Sequence, residues 1–352
     1  MKNIIHERPG VYSSYDASAT VRGGRAVRTI GVAAKSVSGT ANEAVRLTSY
    51  EMGVSAFGED AAGVPGMSTI LKLLFLGGAS AVAAVRVDGE DYAEAFAALQ
   101  AVEDVQILVC DSGELTVQQA LRSSLESASA ARRERIAVVG MNGASTVELT
   151  ERAKALNSER MVLVGPDGLD SAGNALSGVF AAAAVAAAVA ITRDPAIPLN
   201  GTQLPGLGGV STAYSDNEID MLVRGGVTPL EAVGGIVSPV RGITTRTTTG
   251  GADDTTWREL TTILIVDDVI PTIRQSLRSR FSQTKNTAQT RGAIRSQTIV
   301  ELENKLRAEI IDSYSDVTVS VYEDDPTVCL VEFSFAVAHG LNQIYLTAHI
   351  TI

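Results

Sequence analysis

Between residues 82 and 165 the sequence returns four times to one kind of run: Val82-Ala-Ala-Val-Arg-Val87, Val105-Gln-Ile-Leu-Val-Cys110, Arg135-Ile-Ala-Val-Val-Gly140 and Met161-Val-Leu-Val-Gly165. Each is short, dominated by aliphatic residues and bounded by turn formers, as a buried strand is. The segments between them carry helical stripes. Tyr92, Phe96 and Leu99 fall on one face, as do Leu121, Leu125 and Ala128, and Leu149, Ala153 and Leu156. Strand alternating with helix predicts an α/β unit with a largely parallel sheet. The run Arg132-Arg133-Glu134-Arg135 reads as the solvated end of a helix, where cations complement the dipole.

Outward from this unit, an Ala-rich helix is expected over about 175–192, ended near Asp194-Pro195. A Gly- and Pro-rich loop follows over 198–209, then a polar helix from about Ser215 to Arg224 that opens with an Asx or Ser cap. Residues 227–257 are rich in Gly and Thr and read as irregular strands. The last third changes character. Residues 260–266 look like a strand leading into a helix that starts near Pro271, a position where proline is tolerated. A second helix puts Ile299, Leu302, Leu306 and Ile310 on one stripe, with Glu301–Lys305 and Glu303–Arg307 at ion-pair spacing. Val317, Val319 and Val321 then alternate with polar residues, and Val331, Phe333, Phe335 and Val337 with Glu332 and Ser334.

The same alternation closes the sequence. Ile344, Leu346, Ala348, Ile350 and Ile352 point one way, and Tyr345, Thr347, His349 and Thr351 the other. The first 24 or so residues have few large apolar groups and the turn pair Pro9-Gly10, so they read as an arm. A terminal strand of this kind can be lent to a neighbouring molecule. The fold class expected is α/β plus α+β. An N-terminal extended arm (1–24) precedes an α/β domain (25–198) and a Gly/Thr-rich connecting region (199–256). A C-terminal α+β domain (257–340) then ends in an exchangeable edge strand (341–352).

Composition narrows the function. The 352 residues are 45% apolar but only 5% aromatic, and the net charge is −11. A general nucleic-acid binder needs the opposite sign. Two distant cysteines, Cys110 and Cys329, sit in apolar runs and read as buried free thiols. No apolar leader is evident at the start, and the longest apolar run, 179–191, is shorter than the roughly 20 residues a spanning helix needs. The expectation is a protein folded in a reducing cytoplasm, without membrane insertion.

Chemistry is hard to find. His6, His339 and His349 do not fall at metal-ligand spacing. Gly53-Val-Ser-Ala-Phe-Gly58 is one residue too long for a nucleophile elbow. Gly31-Val-Ala-Ala-Lys35-Ser36 resembles a phosphate loop but has Ala34 and Thr29 where glycines are needed. Gly206-Leu-Gly-Gly-Val210 reads as a loop. No cofactor is therefore expected. One catalytic alternative remains: Asp88, Asp111, Asn142 and Asp167 each follow a predicted strand, where α/β sheets bind ligands, although such residues are also ordinary turn formers. An enzyme or ligand-binding protein using these acidic strand ends is the alternative reading. One charge feature stands out. From residue 269 to 300 there is no acid, but Arg274, Arg278, Arg280, Lys285, Arg291 and Arg295 are all present. In an acidic chain this is either a set of internally paired cations or a docking face for an acidic partner.

Several segments together resemble the tail sheath proteins of contractile phage tails and related injection particles. They are the opening Glu7-Arg-Pro-Gly-Val-Tyr12, the Ala-rich helix with Asp194-Pro195, Leu222-Val-Arg-Gly-Gly-Val227, Arg241-Gly-Ile-Thr-Thr245, and Arg280-Phe-Ser-Gln-Thr-Lys-Asn-Thr287 with the helix after it. The strand pattern of residues 333–352 completes the order. The resemblance implies a structural subunit, not an enzyme, that polymerises with itself as six-fold rings stacked helically around an inner tube. Its other partners would be the inner tail tube protein, the baseplate and the tail terminator, with no nucleic acid. It implies assembly in the bacterial host cytoplasm as part of a phage virion tail or tail-like particle. The arm, with Val11, Tyr12 and Tyr15, and the last strand, with Ile344, Leu346, Ala348, Ile350 and Ile352, would then complete sheets on neighbours. The six basic residues from Arg274 to Arg295 become the candidates for the tube-facing surface.

Overall fold

A computed structural model describes residues 28–342, apart from 62 and 324. The expected strand exchange residues Val11, Tyr12, Tyr15, Ile344, Leu346, Ala348, Ile350 and Ile352 lie outside the described residues. The chain opens with β1 (Thr29–Ala34), β2 (Ala44–Leu47), α1 (Tyr50–Phe57) and α2 (Met67–Leu76). The predicted alternation follows as β3 (Val82–Arg86), α3 (Ala93–Ala101), β4 (Val105–Cys110), α4 (Leu115–Ala130), β5 (Ile136–Gly140), α5 (Thr146–Leu156) and β6 (Met161–Gly165). Short strands β7 (Gly168–Leu169) and β8 (Ala175–Leu176) precede α6 (Gly178–Ile191), and β9 (Gly209–Val210) joins them in a small sheet. Then come α7 (Asp216–Arg224), β10 (Val227–Val233), β11 (Ile236–Pro239), and the two-residue strands β12 (Thr248–Thr249) and β13 (Ala252–Asp253). The chain continues with α8 (Leu260–Phe281), α9 (Ala288–Arg307), β14 (Ile311–Tyr322) and β15 (Asp325–Val337).

Eight strands form one sheet in the order β11-β10-β6-β5-β4-β1-β3-β2. Its interior pairs are parallel, and the two outermost strands run antiparallel. Both faces are covered, so the strands read as unbroken apolar runs rather than alternating ones. One face packs Ile30, Val32, Ile107 and Val109 against α1, α2 and α6. The other packs Ala33, Val105, Leu108 and Cys110 against α3, α4, α5 and α7. Gly31 to Ala34 of the rejected phosphate-loop stretch lie in the interior strand β1, and a methyl group at Gly31 would meet Val105 Cγ1 at 2.9 Å. Part of the Gly/Thr-rich stretch also enters this sheet. Val227, Thr228 and Pro229 of β10 pair with β6, and β10 returns as β11 through Gly234-Gly235, both at positive φ.

α6 is buried along its length from Gly178 to Ala190, between the sheet and α2. Its alanines allow this. A helix of larger side chains could not lie so close to the sheet.

Three expectations for the C-terminal third are corrected. Residues 260–266 are not a strand: a single 22-residue helix, α8, contains Pro271 in its interior. The run buries Leu260, Ile263 and Leu264 in the α/β core, and Ile265, Val269 and Ile273 in a separate core with Leu302, Ile311 and Val317. A helix buried on more than one side loses its 3.6-residue stripe and mimics a strand over a short window. The pairs Glu301–Lys305 and Glu303–Arg307 are also replaced by other partners, most of them on other elements. Lys305 meets Asp268 on α8, Glu301 accepts from Ser276 and Gln297, and Glu303 accepts from Tyr314 Oη. Cys329, finally, is half-buried, whereas Cys110 is fully buried and its thiol is pushed up to about 12 by that burial.

The arginine run is likewise not merely solvated. Arg135 is 2% exposed, and its guanidinium donates to the carbonyls of Leu99 and Val102 at the end of α3. Arg133 adds a bond to Gln100 O at 2.7 Å. The two arginines add donors to carbonyls at this helix end, of which Leu99 O also accepts from Val102 N at 3.1 Å.

Candidate assembly interface

β14 and β15 form a long two-stranded ribbon, with Val319 opposite Val331, Val321 opposite Cys329 and Tyr314 opposite Phe335. Among the described residues no third strand pairs with either one. An isolated hairpin is marginal in water and needs a further strand or a helix to hold it. α9 and the end of α8 supply one covered face, where Phe333, Phe335, Val337 and Tyr314 pack on Leu302 and Ile273. The register shifts between Ser315 and Thr318, where Asp316 adopts φ 55°, and this bulge turns the outer half of the ribbon. That outer half keeps Tyr322, Val328 and Leu330 exposed. Among the described residues the ribbon thus presents two unpaired edges and apolar side chains, and the sequence beyond it keeps an alternating pattern.

The loop from α8 to α9 braces this ribbon. Asn286 Nδ2 donates to Pro326 O at 2.8 Å and to Val328 O at 3.3 Å, and its Oδ1 accepts from Arg291 Nη1 at 3.0 Å. Thr287 caps α9 by accepting from Thr290 N. Asn286 is the residue that sequence reasoning passed over. Its signal was the Asn-Thr pair in the quoted stretch, read there only as a likeness.

The basic stretch divides in two. Arg274 pairs with Glu134 at 2.7 Å, Arg291 holds Asn286, and Arg295 Nε donates to Val317 O at 2.7 Å. Arg278, Arg280 and Lys285 are exposed at the end of α8 and in the loop after it, with no ion-pair partner among the described residues. α8 itself is fastened to the sheet. Asp267 receives both terminal nitrogens of Arg160, at 2.8 and 3.0 Å, while burial raises the Asp267 carboxyl and Arg160 opposes that rise.

The acidic strand ends are occupied by their own backbone. Asp167 accepts from Gly143 N and Gly178 N, both at 2.8 Å, which fixes the start of α6. Asp111 accepts from Lys35 N at 2.8 Å and from Tyr92 Oη at 2.5 Å. Burial raises the Asp111 carboxyl, and burial followed by Asp111 raises the Tyr92 phenol. Asp88 and Asn142 stand exposed on their turns. No group of three metal-ligating side chains occurs among the described residues. No helix among them is long and apolar enough to cross a membrane.

Comparison with known proteins agrees with this layout. A phage tail sheath protein central domain profile matches residues 86–245, and a phage tail sheath C-terminal domain profile matches residues 252–351. The tail sheath protein of Bacillus phage SP01 is 30% identical over 252 residues, which cover 70% of this chain and 43% of that protein. The chain therefore spans less than half the length of that relative. Among solved structures, the contracted helical sheath of the anti-feeding prophage superposes with a TM-score of 0.71 at 16% identity, covering 98% of this chain and 99% of that one. The sheath tail protein of Desulfitobacterium hafniense gives 0.69 at 11% identity, covering 93% and 100%. At these identities the likeness is one of fold.

Proposed function

The chain belongs to the phage tail sheath protein family, whose members are structural proteins rather than enzymes, and from this we propose that it polymerises as six-fold rings stacked around an inner tube. Contraction of that sheath drives the tube through a target envelope. Assembly takes place in the bacterial host cytoplasm, on a baseplate and under a terminator. The observation that carries the reading is the β14–β15 ribbon, which no third strand pairs among the described residues, with an alternating sequence pattern beyond it in residues 344–352. A neighbour's terminal strand, and the arm with Val11, Tyr12 and Tyr15, would complete this ribbon into a wider sheet. Each main-chain hydrogen bond so gained contributes about 0.5–1.5 kcal/mol net. Several per strand, repeated around a ring, hold a mesh while subunits rotate as rigid bodies. The sequence carries no complete phosphate loop, so the energy for contraction is assigned to the assembly itself, as a kinetically trapped extended state.

Removing residues 343–352 tests this. The shortened protein is expected to keep its unfolding transition and to lose tube formation in negative-stain electron microscopy. Tubes of ordinary length from the shortened protein would overturn strand lending.

A further inference from the structure

Both ends of the described chain are tied to one short segment. Arg28, the residue before β1, donates Nη1 to Val189 O at 3.0 Å and to Thr192 O at 2.8 Å, at the C-terminal end of α6. Eight residues further on, Asn200 Nδ2 donates to Asn342 Oδ1 at 2.8 Å. Between these points Gly340 lies so close to Pro198 that an added methyl group would sit 2.8–3.0 Å from the ring. The chain after β15 is therefore laid against the chain after α6, and Gly340 serves a close approach there.

The segment 192–200 is itself firmly held. Asp194 turns it by accepting from Ala196 N at 2.9 Å, and Ile197 N donates to Asp194 O at 3.3 Å. Leu199 is buried in the α/β core, and Ala196 packs on the hairpin core. It extends α6, the helix most completely buried. Elements of this kind open last, whereas chain ends fray unless tied down.

We propose that residues 192–200 are a common anchor for the two terminal segments, so that tension between neighbouring subunits crosses each subunit at the end of α6. This rests on strand lending. Arm and terminal strand would each pull on a neighbour, and both pulls would enter the fold at one place. The sheet would then carry little of the pull from the subunit's own arm and strand, while the ribbon bears the pull of the strands it accepts, and a subunit could turn without being peeled apart. Arg28 and Asn200 are positioning residues in this scheme.

The test uses full-length protein carrying Arg28→Ala and Asn200→Ala, assembled into tubes and passed through a fixed shear. Tubes are expected to form and then to break to a mean length several-fold shorter than the parent's. A Leu125→Ala variant, a cavity far from the anchor, controls for lost stability and is expected to keep parental length under shear. Parental length in the double variant would overturn the anchor. If the double variant forms no tubes, Asn200→Ala decides. It releases Asn342 and leaves Arg28 in place, and shear resistance equal to the parent's would overturn the anchor. Tubes from protein lacking residues 343–352 would instead remove the strand-lending reading itself, so the two failures are told apart.

Discussion

At Gly140 the last residue of β5 meets the first turn of α6. An added Cβ would lie 2.1 Å from the carbonyl carbon of Gly178 and 2.6 Å from Val179 N, which are backbone atoms that cannot turn aside. The same crowding recurs at Gly77, where a methyl group would lie 2.4 Å from the Ala187 Cβ. Small residues here are a packing requirement: α6 reaches the sheet only because neither side carries bulk. Gly140→Ala is expected to cost about 1–3 kcal/mol through overpacking, near the upper end because backbone must move. A urea titration would show it as a lower midpoint at unchanged slope, and an unchanged midpoint would mean that β5 and α6 can part at no cost. Arg135 gives the complementary lesson. A charged residue next to two other charges reads as surface, yet the partners that bury it are carbonyls of a helix more than thirty residues earlier. Backbone acceptors carry no sequence signature.

Among the elements, α2 depends on a side chain outside it. Its own cap position is Gly66, which has no side chain to accept from the first turn. Asp60 does so instead, receiving Gly66 N, Ser68 N, Thr69 N and Thr69 Oγ1 at 2.7–3.1 Å. Burial alone would raise this carboxyl, but these hydrogen bonds outweigh it and hold it below its ordinary value. A carboxyl depressed in the folded state contributes stability that is present above its unfolded pKa, and loses it as pH falls through the folded one. Asp60→Ala should therefore cost about 1–2 kcal/mol at pH 7. That gap should close as pH falls below about 3.9. Paired denaturant titrations across this range check it, and a gap that persisted at low pH would assign the loss to packing rather than to the cap. This contrast explains what could be read in advance. The strands and helices from β3 to β6, and the cap at Ser215, were legible because they rest on local periodicity and local hydrogen bonds. α8 was not, because two cores bury it on different sides and erase the period. The pairs on α9 were not, because Asp268, Ser276 and Tyr314 offered better partners from other elements. Of the six basic residues read as one face, the sequence could not separate Arg274, Arg291 and Arg295, which serve the fold, from the three that remain exposed.

At the scale of the whole molecule that separation sharpens the proposal for the inner tube. The chain carries a net charge of −11, so an exposed group of Arg278, Arg280 and Lys285 is a local reversal of sign. Such a group contributes little to folding, because exposed charges in high dielectric interact weakly and are screened by salt. It can still set register and encounter rate with an acidic surface. Arg274 behaves differently, since reversing it would set two carboxylates together at Glu134 and loosen α8 from the sheet. The triple change Arg278→Glu, Arg280→Glu and Lys285→Glu is thus expected to move stability by no more than about 0.5 kcal/mol. Its effect should fall on co-assembly: sheaths that form without an enclosed tube, or far fewer filled particles, counted by electron microscopy with the tube protein present. Because screening weakens the same contact, raising salt during assembly should depress the yield of filled particles for the parent and change the reversed variant little. Filled particles in normal numbers from the triple variant would place the tube-facing surface elsewhere, and with it the reason an acidic subunit keeps, at the end of α8 and in the loop after it, three cations that pair with no acid among the described residues.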